Sequence, residues 1–190
     1  MLADITIDRE TPRLGAADLR LLKKPLEFIL ADHHRQRALC QALDRLADAA
    51  ALAPGLAREV VDFIESDMPI HVIDEEEDLF PLLRRRATPE DNVERVLGLL
   101  SREHAEDDRL ADIIVEGLRR SCAAGDTELA TKLREALRSF AHRQRRHLAV
   151  ENAIVMPLAE ARLTEKDRDG LARRMAARRG IQLAPERSRG

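Results

Sequence analysis

Aromatic residues are nearly missing from this 190-residue chain: four Phe, no Tyr and no Trp. That scarcity removes the usual stacking platforms for nucleic-acid bases and argues against a β-rich core. Without tyrosine there is also no tyrosyl radical relay. Two cysteines are too few for a disulfide framework and fit a reducing compartment. Neither charge sign dominates, since 32 Lys and Arg face 35 Asp and Glu for a net charge of −3. A field that balanced advertises neither nucleic acid nor an acidic membrane as partner. No long apolar run is present, and Asp4, Asp8, Arg9 and Glu10 crowd the start. The expectation is a protein with no signal peptide and no membrane span, residing in the cytoplasm.

Ala, Leu, Arg and Glu dominate, and apolar residues recur at steps of three and four, which is the period of an α-helix. Breaks fall at Pro54-Gly55, at Thr88-Pro89 and at Gly125-Asp126. They leave helical runs near 17–50, 56–86, 90–120 and 127–162, with Thr88 capping the third and Pro89 at its first helical position. Short connections between long amphipathic helices predict an all-α, antiparallel up-down-up-down four-helix bundle over 17–162. Residues 1–16 read as an irregular arm. Residues 163–190 read as a basic tail with a short helix. From Arg162 onward nine Lys or Arg oppose four Asp or Glu. Such an end is either a solvated helix capping the bundle or a contact for an acidic protein partner.

Each apolar stripe is interrupted near its middle by histidine. The first stripe is Leu26, Ile29, His33, Cys40, Leu43, and the second Val60, Ile64, Met68, His71, Glu75, Leu79, Leu82. The third is Val93, Leu97, Leu100, His104, Ala111, Ile114, Leu118, and the fourth Leu133, Phe140, His147, Glu151, Ile154, Leu158. Any one of these histidines alone would be an ordinary hydrogen-bonded core residue. Six polar groups meeting in one layer is a different matter. Burying them among leucines is costly unless something satisfies them together, and a metal does so most simply.

An internal repeat points the same way. His71-x-x-x-Glu75-x-x-x-Leu79-Phe80-Pro81 returns 76 residues later as His147-x-x-x-Glu151-x-x-x-Val155-Met156-Pro157. Upstream of each frame stands one acid-histidine pair, Asp32-His33 and Glu103-His104. Residues i and i+4 share a helix face, so imidazole and carboxylate reach the same ion or adjacent ions. No histidine has glutamate three positions before it, which sets the chain apart from ferritin-like centres. A mixed imidazole and carboxylate set suits iron ahead of zinc or manganese.

This pattern resembles the hemerythrin-like, or HHE cation-binding, domain, whose helices carry H…HxxxE…H…HxxxE, often continued as HxxxEExxLFP. His71, Glu75, Glu76, Leu79, Phe80 and Pro81 stand at those places. The likeness spans about residues 20 to 162. It implies a bundle holding two irons per chain, bridged by Glu75 and Glu151 and an oxygen species, with His33, His71, His104 and His147 as terminal ligands. Oxygen-carrying hemerythrins add a histidine four places along the third helix, where this chain has Asp108. With Asp108 or water at that place, the resemblance implies sensing or redox chemistry toward oxygen, nitric oxide, peroxide or iron itself. A ferroxidase or peroxidase, or a helical interaction protein with a structural metal, stays open beside it.

Other candidates rank lower. His34 and His142 fall off the core side and read as surface histidines. Glu76, Glu77 and Asp78 read as a solvated face, with Glu76 able to orient a ligand from behind. Cys40 reads as apolar filler, and Cys122 carries no signal. Pro69 should kink the second helix and free the carbonyl of Glu65.

Overall fold

The computed structural model describes residues 14–183, and these are helical with no strand. Most of the arm expected at 1–16 and the last seven residues of the tail lie outside the described residues. After a 3₁₀ turn at Leu19–Lys23, α1 spans Pro25–Asp48, with proline at its start where a missing N–H costs nothing. The second long helix, α2 (54–86), is built from Pro54–Asp62, Met68–Ile73 and Phe80–Arg86. Two π-turns, Phe63–Asp67 and Asp74–Leu79, join them. Helix α3 is Val93–Ala124, closed by Gly125 in the left-handed region at φ 70°. Helix α4 (131–162) joins Thr131–Val150 to Met156–Arg162 through the π-turn Glu151–Val155, and α5 is Glu165–Arg178.

The third helix begins later than the sequence suggests. Pro89 opens a single 3₁₀ turn, Pro89–Asp91, in which the Asp91 carboxylate accepts the Thr88 N–H at 2.7 Å. Asn92 then turns left-handed at φ 46°, and α3 starts at Val93. The Arg162 guanidinium, bound to Asp91 at 2.8 Å, holds that carboxyl down at about 2.

All three π-turns precede a proline. Pro69, Pro81 and Pro157 each lack an N–H, and each ring would strike the carbonyl four residues back. Widening the turn relieves the clash. Met68 N–H reaches Phe63 O, Phe80 N–H reaches Glu75 O, and Met156 N–H reaches Glu151 O, all spanning five residues. The kink expected at Pro69 is therefore a π-turn. The extra residue also shifts the face that follows. Ile154, expected in the apolar stripe of α4, is 45% exposed, while Val155 and Met156 occupy the core.

Helix α1 packs along α4 and α2, and α3 along α2 and α4, a closed ring compatible with the expected bundle. Its interior holds two apolar clusters. One contains Leu39, Leu43, Leu46, Val60, Leu118 and Phe140, the other Leu26, Ile29, Leu79, Phe80, Leu97 and Met156. On α1, His33 lies between Ile29 of one cluster and Leu39 of the other, so the histidine layer sits where the two meet. Burying such side chains contributes about 1.5–3 kcal/mol each, and this apolar framework keeps water from the layer between.

Helix α5 packs across α1 and the second π-turn of α2. Its N-terminal Asp167 caps Thr164 and accepts Arg86 Nε at 2.7 Å, which pulls the Asp167 carboxyl far down. Arg174 and Arg178 pair with Asp78, and Arg178 and Arg179 with Asp74. This corrects the reading of Asp78 as solvated, since it is 3% exposed beneath the arginines, whereas Glu77 is exposed. Arg174, Arg178 and Arg179, part of the tail's positive charge, are thus paired inside the chain. Replacing Asp78 with Ala strips Arg174 and Arg178 of that acceptor. A loss of about 1.5–3 kcal/mol in chemical denaturation is expected, and an unchanged midpoint would show the clasp to be idle.

Candidate metal centre

The structure brings six of the sequence-predicted residues together, all buried: His33 from α1, His71 and Glu75 from α2, His104 from α3, and His147 and Glu151 from α4. They form two overlapping groups, His33, His71, Glu75, Glu151 and Glu75, His104, His147, Glu151. Within each group the donor atoms lie within 4.8 Å of one another. Both glutamates belong to both groups, and their oxygens divide accordingly. Glu75 Oε1 faces His33 and His71 Nε2 at 3.5 and 3.4 Å, and its Oε2 faces His104 Nε2 at 3.4 Å. Glu151 Oε2 faces His33 Nε2 at 3.4 Å, and its Oε1 lies 2.9 Å from His147 Nε2 without the alignment of a hydrogen bond.

The π-turns carry the glutamates into place. Glu75 lies within Asp74–Leu79 and Glu151 opens Glu151–Val155, so each sits in a widened turn at the centre of its helix. The proline ten residues after each HxxxE histidine is the sequence mark of that turn.

Behind three of the four imidazoles a hydrogen-bonded group fixes the ring. His104 Nδ1 lies 2.7 Å from Glu76 Oε1, and Glu76 Oε2 accepts the Ser101 hydroxyl at 2.8 Å. His147 Nδ1 is 3.0 Å from Glu103 Oε2. His33 Nδ1 is 3.1 Å from Asn152 Oδ1. Because Asn152 Nδ2 already donates to Leu148 O at 2.6 Å, its oxygen faces the ring and His33 Nδ1 donates. The fourth, His71 Nδ1, is 3.8 Å from Asp32 Oδ2, too far for a hydrogen bond. With Nδ1 engaged outward in His33, His104 and His147, the Nε2 lone pairs of those three are left for the centre.

Of these outer groups the sequence marked Glu76 as able to orient a ligand, and it is half-buried against His104 rather than on a solvated face. Asp32, Glu103 and Asn152 had no assigned role. The signal was present in the acid directly before each lone histidine and in the polar residues directly after Glu75 and Glu151. Asp108, the position of the missing fifth histidine, is exposed, and its neighbour Asp107 is the buried one, bound to Gln144 and Arg143. His34 and His142 are exposed. Cys40 is fully buried in the apolar cluster, where burial pushes its thiol up to about 11.

The polar layer is poorly satisfied by protein alone. His33 Nε2 and all four oxygens of Glu75 and Glu151 are buried without hydrogen-bond partners. Proteins rarely leave so many orphans in one place, and a cation between them would satisfy all five atoms. Charge distribution agrees. Burial alone would raise the Glu75 carboxyl, yet the neighbouring His71 charge and the His104 and His33 contacts hold it well below its usual range. Burial alone would lower His104, but the Glu75 and Glu76 carboxylates beside it carry it up to about 10. His71 and His147 rise as well, against burial, through Glu75 and Glu151 respectively.

Without metal, then, protons hold the layer together. This pairing stabilises the metal-free fold fully below the ordinary imidazole value of 6.5 and is lost as pH rises through about 10. Metal must displace those protons. Adding metal to weakly buffered protein at pH 7 is expected to release protons, and apparent affinity should climb with pH. Loading that leaves the pH of the solution unmoved would contradict this charge state.

The chain matches the family model of the Hemerythrin HHE cation binding domain over residues 24–175. No curated protein sequence matches the chain. No helix among the described residues is long and apolar enough to cross a membrane. A family match across most of the chain, with the HHE residues gathered in one buried layer, makes this protein a member of the hemerythrin HHE cation-binding family.

Proposed function

We propose that the chain is a non-haem di-iron protein of the hemerythrin-like type. Its up-down-up-down bundle would hold two irons through His33, His71, His104 and His147, bridged by Glu75 and Glu151. The observation that carries this is the division of each glutamate, one oxygen turned toward each histidine pair. A carboxylate that merely completed one site would not have its second oxygen buried and unpartnered beside another pair of imidazoles.

Four side-chain donors per ion leave coordination open for a small ligand, and exposed Asp108 does not fill it. Bound iron would supply reversible one-electron chemistry toward oxygen, nitric oxide or peroxide. The protein's own part is to keep the Nε2 atoms aimed inward, to exclude water with two apolar clusters, and to let the carboxylates shift between the pairs. Sensing or binding fits this better than turnover, because the polar residues that touch the six, Glu76, Glu103 and Asn152, are engaged on the outer Nδ1 atoms of the histidines. We place this activity in the cytoplasm, with a diatomic or peroxide as the ligand.

Metal analysis and optical spectra of anaerobically purified protein, before and after air, test the reading. About two irons per chain are expected, with new near-ultraviolet bands on oxidation that the absence of Tyr and Trp leaves uncovered. His71→Ala and Glu151→Ala should each lower iron content and abolish those bands. Zinc, or no metal and no bands, would sink the redox centre.

A further inference from the structure

Inside the repeat, the two halves offer the same donors, yet what stands behind the donors differs. His104 and His147 each have a carboxylate at hydrogen-bond distance, Glu76 at 2.7 Å and Glu103 at 3.0 Å. His33 has the neutral amide of Asn152 instead. His71 has Asp32, but at 3.8 Å, and that carboxylate is already taken by Arg35 at 2.8 Å with Arg179 4.0 Å away. Glu76 and Asn152 occupy the same place in the repeat, one residue after Glu75 and Glu151. A carboxylate on Nδ1–H pushes electron density into the ring and raises the basicity of Nε2, whereas an amide does so far less.

We propose that the two metal positions are inequivalent, with the His104/His147 position binding its cation more tightly and favouring the higher oxidation state, and that Glu76 and Asn152 are the positioning residues that set the difference. The inference rests on the two-ion reading above, and it assigns an order that the identical donor sets do not. The looser His33/His71 position is then the one whose ion exchanges. The shared glutamates transmit the difference, since Glu75 and Glu151 each touch both halves.

Calorimetric titration of the full metal-free chain with Co(II) alone tests the assignment. Two steps are expected, separated by about tenfold or more in affinity. Glu76→Gln keeps a hydrogen-bonding group but removes its charge, and should weaken the tighter step by about 10- to 100-fold while sparing the other. Asn152→Asp should strengthen the weaker step, a gain that a misfolded variant cannot produce. Thermal unfolding of the metal-free variants checks that each still folds. Two indistinguishable steps in the native chain, or a Glu76→Gln effect confined to the weaker step, would overturn the inference while leaving the two-ion reading intact. No Co(II) uptake at all would overturn both.

Discussion

Six ionisable side chains are held between two apolar clusters where water cannot reach them, and that burial is the constraint on which the structure turns. Removing a carboxylate or an imidazolium from water costs several kcal/mol per ion after relaxation, comparable to what one or two well-packed leucines return. Such a layer survives only if its members neutralise one another. Without metal, His71, His104 and His147 hold their protons against the carboxylates beside them, and five of the donor atoms still find no hydrogen-bond partner. The layer is therefore tolerated by the apolar clusters on either side of it and completed by a cation. Stability and function pull in opposite directions at this place, as expected where a fold has been bent to a site.

Backbone geometry serves the same end. A regular α-helix has no room for proline in its interior, and α2 and α4 resolve the conflict by widening a turn rather than breaking. The widened turn lies under Glu75 in one case and Glu151 in the other, so proline and glutamate act as one device. The register change sends Ile154 to the surface and brings Val155 and Met156 inward. A reading that applies uniform 3.6-residue periodicity along α4 misplaces Ile154 for that reason alone. The same change leaves Leu79 and Phe80 fully buried in α2, where the apolar pair before Pro81 fills the core below the site.

Spacing made the helices and the six inward groups legible in the sequence, because core position along a helix is a local property. The outer partners are a different case. Asp32 stands 3.8 Å from His71 across 39 positions and Asn152 faces His33 across 119, so their placement depends on which helices become neighbours. Glu76 lay between two readings since helical angle alone leaves it at the edge of the core; the Ser101 hydroxyl and the His104 ring decide it. Asp78 was misread because a helix outside the repeat, α5, covers the face that would otherwise be solvated. The capping turn at Pro89 was read as a helix start since a one-turn 3₁₀ segment and an α-helix share the same opening residues.

The repeat itself shows which features the centre demands and which it leaves free. Side chains that face the interior recur in both halves, lone histidine, the His and Glu of HxxxE and two apolar residues, each set followed by an exposed proline. Outside that layer the halves part. The π-turn under Glu75 is gripped from behind by Arg174, Arg178 and Arg179 through Asp74 and Asp78. Val150 and Ile154 stand at the matching places beside Glu151, and neither can make an ion pair. A hydrogen-bonded, charged clasp resists displacement in a way that an apolar edge does not. Glu75 thus sits on a segment held from behind by ion pairs, and Glu151 on one that lacks them at the matching places. The buried site combines symmetry of donors with asymmetry of support.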